Sequence, residues 1–176
     1  VGRFDHYDDD AGSGERDEGR IAVPAYWIDQ LPFVNPTLED AYAPPLTGMT
    51  FSQAEQLCAK FEKRLCTEDE WEKACKGPKN LIFSYGDGWE PEACPKPGFF
   101  EGGYRLSDYP ACVSGYGAVG MTGGVGEWTS TPLREGHVVK PAEVGSMPKH
   151  ARCAGRTDRA DDFQSHHIGM RCCHDA

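Results

Sequence analysis

Eight cysteines carry the most open chemistry in this 176-residue chain: Cys58, Cys66, Cys75, Cys94, Cys112, Cys153, Cys172 and Cys173. Such residues can hold soft metal ions as thiolates, act as nucleophiles or close disulfides. Structural zinc favours paired Cys-x-x-Cys knuckles, and the spacing contains none. The number is even, and the one adjacent pair, Cys172-Cys173, is of a kind whose members ordinarily bridge to different partners. Disulfides are therefore the expected state. They imply an oxidising compartment: the periplasm, the cell surface or the outside of the cell.

The six histidines, at 6, 137, 150, 166, 167 and 174, are the other ligand candidates. In a strand, His166 and His167 would point to opposite faces. With His150 or His174 nearby they could hold a transition metal; the plainer reading is solvated loop histidines. No Ser-His-Asp arrangement or phosphate-cradling glycine loop with a lysine is evident. The acidic run that begins at Asp8 has the oxygen donors that Ca²⁺ takes, but it lacks the glycine and the glutamate of an EF-hand loop.

The elements that must position these residues can be read from local patterns. Phe4 to Gly19, "FDHYDDDAGSGERDEG", holds much of the charge that brings the chain to −10. Residues 1–20 read as an acidic, flexible arm and 21–176 as one domain. The negative balance argues against a nucleic-acid partner. No run approaches the length of a membrane helix. The chain begins at Val1 without a methionine or a visible leader, which reads as a processed product. Ile21 to Asn35 suggests one or two short strands.

Ser52 to Glu55 has the pattern of a capping box, with Ala54, Leu57, Cys58 and Phe61 following on one helical face. Thr67 to Glu70 is a second box, whose helix presents Trp71, Ala74 and Cys75 on one side and stops near Gly77. Between the helices, Arg64, Leu65 and Cys66 read as a sharp turn. A cysteine on a buried helical face lacks the exposure and positive surroundings of a reactive thiol, so Cys58 and Cys75 read as staples. Beyond Gly77, glycine and proline punctuate long loops, which need fixing by disulfides or bound ions.

Four stretches together resemble the formylglycine-generating enzyme, or sulfatase-modifying factor, family. They are "TGMTFSQAEQLCAKFEKRLCTEDEWEKAC", "YGAVGMTGGVGEWTS", a weaker "EVGSM" at 143–147, and "RCAGRTDRADDFQSHHIGMRCC". The resemblance runs over residues 21 to 173. It implies an α+β fold, a variant of the C-type lectin domain with two helices, short twisted strands and long loops, stapled by disulfides. It further implies Cys58–Cys172 and Cys75–Cys153. These close loops of roughly 80 to 115 residues, worth on the order of 4–5 kcal/mol each in the chain-entropy model. Cys66 stands where the family usually has proline and could reach Cys173, leaving Cys94 to pair with Cys112.

The family enzyme oxidises a peptide cysteine with copper held by two cysteines between a Gly-Gly-Ser and an Arg-Cys-Ala motif. Here that interval, Met147 to Ala151, is shorter and contains no cysteine, so no copper is expected. Gly124 and Gly126 replace the family's asparagine and tryptophan. The family's calcium loop, carried over, would use carbonyls near Thr122, Gly123 and Val125 with the Glu127 carboxylate; the alternative is Glu127 bonding loop amides without an ion. These expectations point to a non-catalytic secreted or surface module, binding or structural, within a larger extracytoplasmic or membrane-associated assembly. It would recognise a protein partner, or a glycan, through loops bearing Trp89, Phe99, Phe100, Tyr104, Arg105, Tyr109 and Tyr116. The competing expectation is a metal-dependent oxidase with altered ligands.

Overall fold

Two threonines open the two helices. The computed structural model describes residues 21–35, 43–96, 104–141 and 149–176. The acidic arm, Phe99, Phe100 and the 143–147 motif thus lie outside the described residues. Thr67 is the N-cap of α2 (Glu68–Lys76). Its hydroxyl accepts the Glu70 N–H at 3.2 Å, and the Glu70 carboxylate accepts the Thr67 N–H at 2.8 Å. That exchange satisfies two amides which a helix start leaves without partners. Gly77, at φ +65°, ends the helix.

The first helix, α1 (Phe51–Ala59), begins two residues before the position that the Ser52–Glu55 pattern suggests. Thr50 is its cap and exchanges bonds with Gln53, while Ser52 accepts from the Gln56 side chain. The earlier start carries Phe51 into the core. There its ring meets Trp128 edge-on at 6.0 Å and stacks on His137 at 3.5 Å. Burying an aromatic ring outweighs the small difference between two similar caps. Phe61, expected on the buried face, lies beyond the helix and is 48% exposed, resting against Phe33. The chain has already left the helix there, and Glu62 turns it with φ +59°.

Arg64–Leu65, expected as a turn, is a two-residue strand, β2. It pairs with one side of β7 (Cys172–Asp175), and β1 (Tyr26–Ile28) pairs with the other, both antiparallel. A second sheet has the order β5 (Thr157–Ala160), β4 (Gly136–Lys140), β3 (Gly126–Leu133), β6 (Ile168–Met170). Only the β3–β6 contact is parallel. One core gathers Phe51, Ala54, Leu65, Trp128, Val139 and Ile168; a second forms around Trp71, Ala74 and Met121. Among the described residues, no helix is long and apolar enough to cross a membrane.

The sulfurs join these parts. The disulfides are Cys58–Cys172, Cys66–Cys173, Cys75–Cys153 and Cys94–Cys112. The first three tie α1, β2 and α2 to the C-terminal third across separations of 114, 107 and 78 residues. The fourth spans only 18. Because cross-linking restricts the unfolded chain more for longer loops, removing Cys75–Cys153 by paired alanine substitution is expected to cost about 4 kcal/mol. Removing Cys94–Cys112 should cost about 3 kcal/mol. Urea unfolding without reductant measures both; an equal or reversed order would overturn the loop-length account.

Candidate functional site

Glu127 is the side chain around which the glycine-rich loop before β3 is organised, and it is 1% exposed. Strand β3 brings it beside β6, while the Arg171 linker between β6 and β7 passes directly over it. One carboxylate oxygen accepts the Trp71 indole N–H at 2.5 Å and the Arg171 Nε–H at 3.1 Å. The other accepts from the Arg171 terminal nitrogen at 3.1 Å. The remaining Arg171 donors reach the carbonyls of Asp29 (2.9 Å), Gln30 (2.7 Å) and Val119 (2.8 Å). All five guanidinium N–H groups are thereby used.

The loop before Glu127 is closed by protein groups as well. Thr122 Oγ1 accepts the Ser84 N–H, the Gly124 N–H donates to Pro95, and the Gly126 N–H donates to His167. Gly124 has φ +66°, and a Cβ there would strike the Tyr104 hydroxyl. Tyr104, expected on the surface, is buried at 6% exposure. Burial pushes its phenol pKa well up, against a bond from the Val125 amide and the nearby Arg171 charge. Its place is set by the missing side chain at position 124, a long-range fit that no local pattern reports.

Calcium requires oxygen ligands with lone pairs free to face the ion. The Glu127 carboxylate instead faces N–H donors, one of them cationic. The residues do not fit the ion, since Arg171 stands where a cation would have to approach that carboxylate. Nor does Glu127 bond loop amides, as the ion-free alternative supposed; its partners are Trp71 and Arg171.

Copper fares no better. A Cu(I) site of the expected kind needs two thiolates, and all eight cysteine sulfurs are spent in disulfides. The histidines are dispersed. His137 bonds Asp161 at 2.6 Å, His174 stacks on Trp27, and His166 and His167 lie in the turn before β6 rather than in a strand. Among the described residues no three His, Cys, Asp or Glu side chains gather as metal ligands.

A second buried constellation had no signal in the sequence. Lys140, fully buried at the end of β4, places its ammonium 2.8 Å from Glu72 and 3.6 Å from Glu68. Lys76 meets Glu72 at 3.0 Å, and Arg156 meets Glu68 at 3.0 Å. Glu68, Glu72 and Lys76 recur every four residues along α2, the spacing of a solvated charged stripe. Only the fold shows that β4 and the 149–156 segment cover it. Both carboxylates are committed to cations, so neither is free to act as a base. Of the expected surface residues, Trp89 is half-buried against Phe83 and Tyr109 is half-buried against Tyr104, while Arg105 and Tyr116 are exposed.

Taken with two helices, short strands, long loops and four disulfides, this describes the disulfide-stapled C-type lectin variant. The pattern of the sulfatase-modifying factor enzyme 1-like domain matches residues 30–176, and the chain belongs to that family. It is 32% identical to a hercynine oxygenase of Mycolicibacterium smegmatis, over 70% of this chain and 30% of that one. It is 28% identical to the inactive C-alpha-formylglycine-generating enzyme 2 of Bos taurus, over 73% of this chain and 49% of that one. The chain thus spans under half the length of these curated relatives. Among solved structures, Treponema denticola variable protein 1 superposes with a TM-score of 0.67 at 14% identity, over 86% of this chain and 84% of that one.

Two outcomes follow from the buried charges. The unfolding temperature is expected to be the same in calcium chloride as in EDTA; a rise of several degrees with calcium would show that an ion reaches the loop. For Glu72, burial raises the carboxyl pKa, but the Lys140 and Lys76 charges and their bonds outweigh it, holding the group below its ordinary 4.5. Its stabilisation is therefore complete above 4.5 and is lost as pH falls through the lower folded-state value. Glu72→Gln should cost about 3–5 kcal/mol at pH 7 by leaving buried cations underpaired. The gap from wild type should narrow below pH 4.5. A gap unchanged by acid in thermal melts would refute the pairing.

Proposed function

We propose that this chain is a non-catalytic member of its family, a binding or structural module working in an extracytoplasmic compartment: periplasm, cell surface or secreted. The observation that carries the reading is the state of the sulfurs. Copper-dependent oxidation of a peptide cysteine needs thiolates able to turn toward one ion. Here each cysteine sulfur has a partner sulfur, and every cysteine is at most 3% exposed. A buried disulfide is a staple, resistant to exchange because no attacking thiolate can reach it.

Three further points support it. The two carboxylate clusters are neutralised by buried cations rather than left available for acid–base work. A relative that matches 73% of this chain is itself named as inactive. Disulfides at this density suit a protein that folds and remains in an oxidising compartment. A scaffold held so firmly can present surface strands and loops to a partner without rearranging. The expected partner is another protein, with this domain as one part of a larger assembly.

The test is direct. Incubated with copper and a cysteine-containing substrate peptide, the protein should leave the peptide mass unchanged. The denatured, unreduced chain should take up no alkylating reagent. Turnover of the peptide to an aldehyde, or two alkylated thiols, would move the oxidase reading to the front.

A further inference from the structure

We propose that the outer edge of β1 is a docking groove for an extended segment of a partner protein, one that carries an acidic residue and adds as a further strand beside Tyr26–Ile28. This rests on reading the chain as a binding module.

The edge can be traced bond by bond. Toward β7, the Ala25 carbonyl accepts the Ala176 N–H, and the Asp29 N–H donates to Cys172 at 3.0 Å. Bonding alternates along an antiparallel strand, so the main-chain groups of Tyr26, Ile28 and Gln30 face the other way. At Gln30 that outward side is already in use, its carbonyl accepting the Val119 N–H at 2.7 Å. At Tyr26 and Ile28, no backbone group of another described residue meets the outward positions. An unpaired row of this kind is a template for strand addition.

The space beside it is the right kind. A cavity of about 550 Å³ runs along the edge, walled by Val23, Pro24, Trp27, Ala74 and Tyr116 together with Lys73. Trp27 is 62% exposed and Tyr116 55%, the two most exposed large apolar side chains among the described residues. Open aromatics that border a groove are typical anchors for a partner's side chains. Among the described residues, Lys73 is the one charged residue in the lining, so the groove favours an acidic residue on the incoming strand.

Charge also selects among occupants. A second copy would meet this one across a twofold axis, which sets a patch against itself. Lys73 would then approach its own counterpart, between chains that each carry −10. The acidic stretch Phe4 to Gly19 complements Lys73 in charge, but its apolar side chains are only Phe4, Tyr7 and Ala11. A partner segment that alternates apolar and acidic residues meets both demands.

The experiment uses the full chain and three labelled synthetic octapeptides followed by fluorescence anisotropy. The first alternates valine with glutamate, the second valine with lysine, and the third has proline in place of each valine. The expected result is saturable binding of the glutamate peptide, at least tenfold tighter than the lysine peptide. The proline peptide, which has lost every second N–H and is held at a φ that does not suit a paired strand, should not bind. Lys73→Glu, at a half-buried helix surface, should reverse the charge preference, with circular dichroism showing it folded. No saturable binding up to millimolar peptide, or an unchanged preference in Lys73→Glu, overturns the groove. Binding that appears only once Asp8, Asp9 and Asp10 are changed to Asn would assign the edge to the chain's own arm and overturn the partner. A dimer that the peptide dissociates would assign it to a second copy and do the same. Failure of the peptides with no copper-dependent turnover removes the groove alone; turnover removes the non-catalytic reading, whatever the anisotropy shows.

Discussion

The structure depends on one buried cation having somewhere to put all its protons. Arg171 is fully enclosed, and a guanidinium that cannot reach water must find a protein acceptor for each N–H. Three main-chain carbonyls and both oxygens of Glu127 supply them. Those acceptors belong to the segment after β1, the loop at Val119 and the start of β3, parts far apart in the chain. Satisfying one side chain therefore holds both sheets and an irregular loop in a single arrangement. Trp71 adds α2 to the same carboxylate. Because a half-satisfied buried charge is so unfavourable, such a network permits few alternatives.

The covalent framework repeats this plan a residue or two away. Cys172 and Cys173 follow Arg171 and send their sulfurs to α1 and to the residue after β2. Strand β7 lies between β1 and β2, so three kinds of bond converge on one short stretch: ladder hydrogen bonds, disulfides and the arginine network. On the other side of α2, the Lys140 cluster joins the helix to β4 by charge rather than by sulfur. In a small domain with long loops, such cross-links make up for the limited core that short strands and two nine-residue helices can bury.

The same economy explains what the scaffold does with its family's chemistry. Sulfur that could serve as a metal ligand is used for stapling. The carboxylate that the family resemblance marks as a calcium ligand is used to neutralise an arginine. What is left open lies at the surface: the free side of β1, with Trp27 and Tyr116 beside it. An edge strand is normally protected, by charge or by cover. Among the described residues, a backbone bond covers it only at Gln30.

Local rules settled much of this protein in advance. The Thr67 cap, the Gly77 stop, the burial of Trp71, and the structural character of Cys58 and Cys75 all follow from spacing, because caps and helical faces are decided within a few residues. The α+β fold and the disulfide partners came from family motifs, which carry long-range information that periodicity lacks. Tertiary structure decided the rest. Helix α1 starts at Phe51 because Trp128 and His137 wait across the core. Tyr104 is buried because Gly124 leaves it room, and the charged stripe of α2 is interior because β4 returns over it. Whether Glu127 meets a calcium ion or an arginine could not be read from its neighbours in sequence. The deciding donor lies 44 residues away, and only the closed fold brings the two charges to hydrogen-bonding distance.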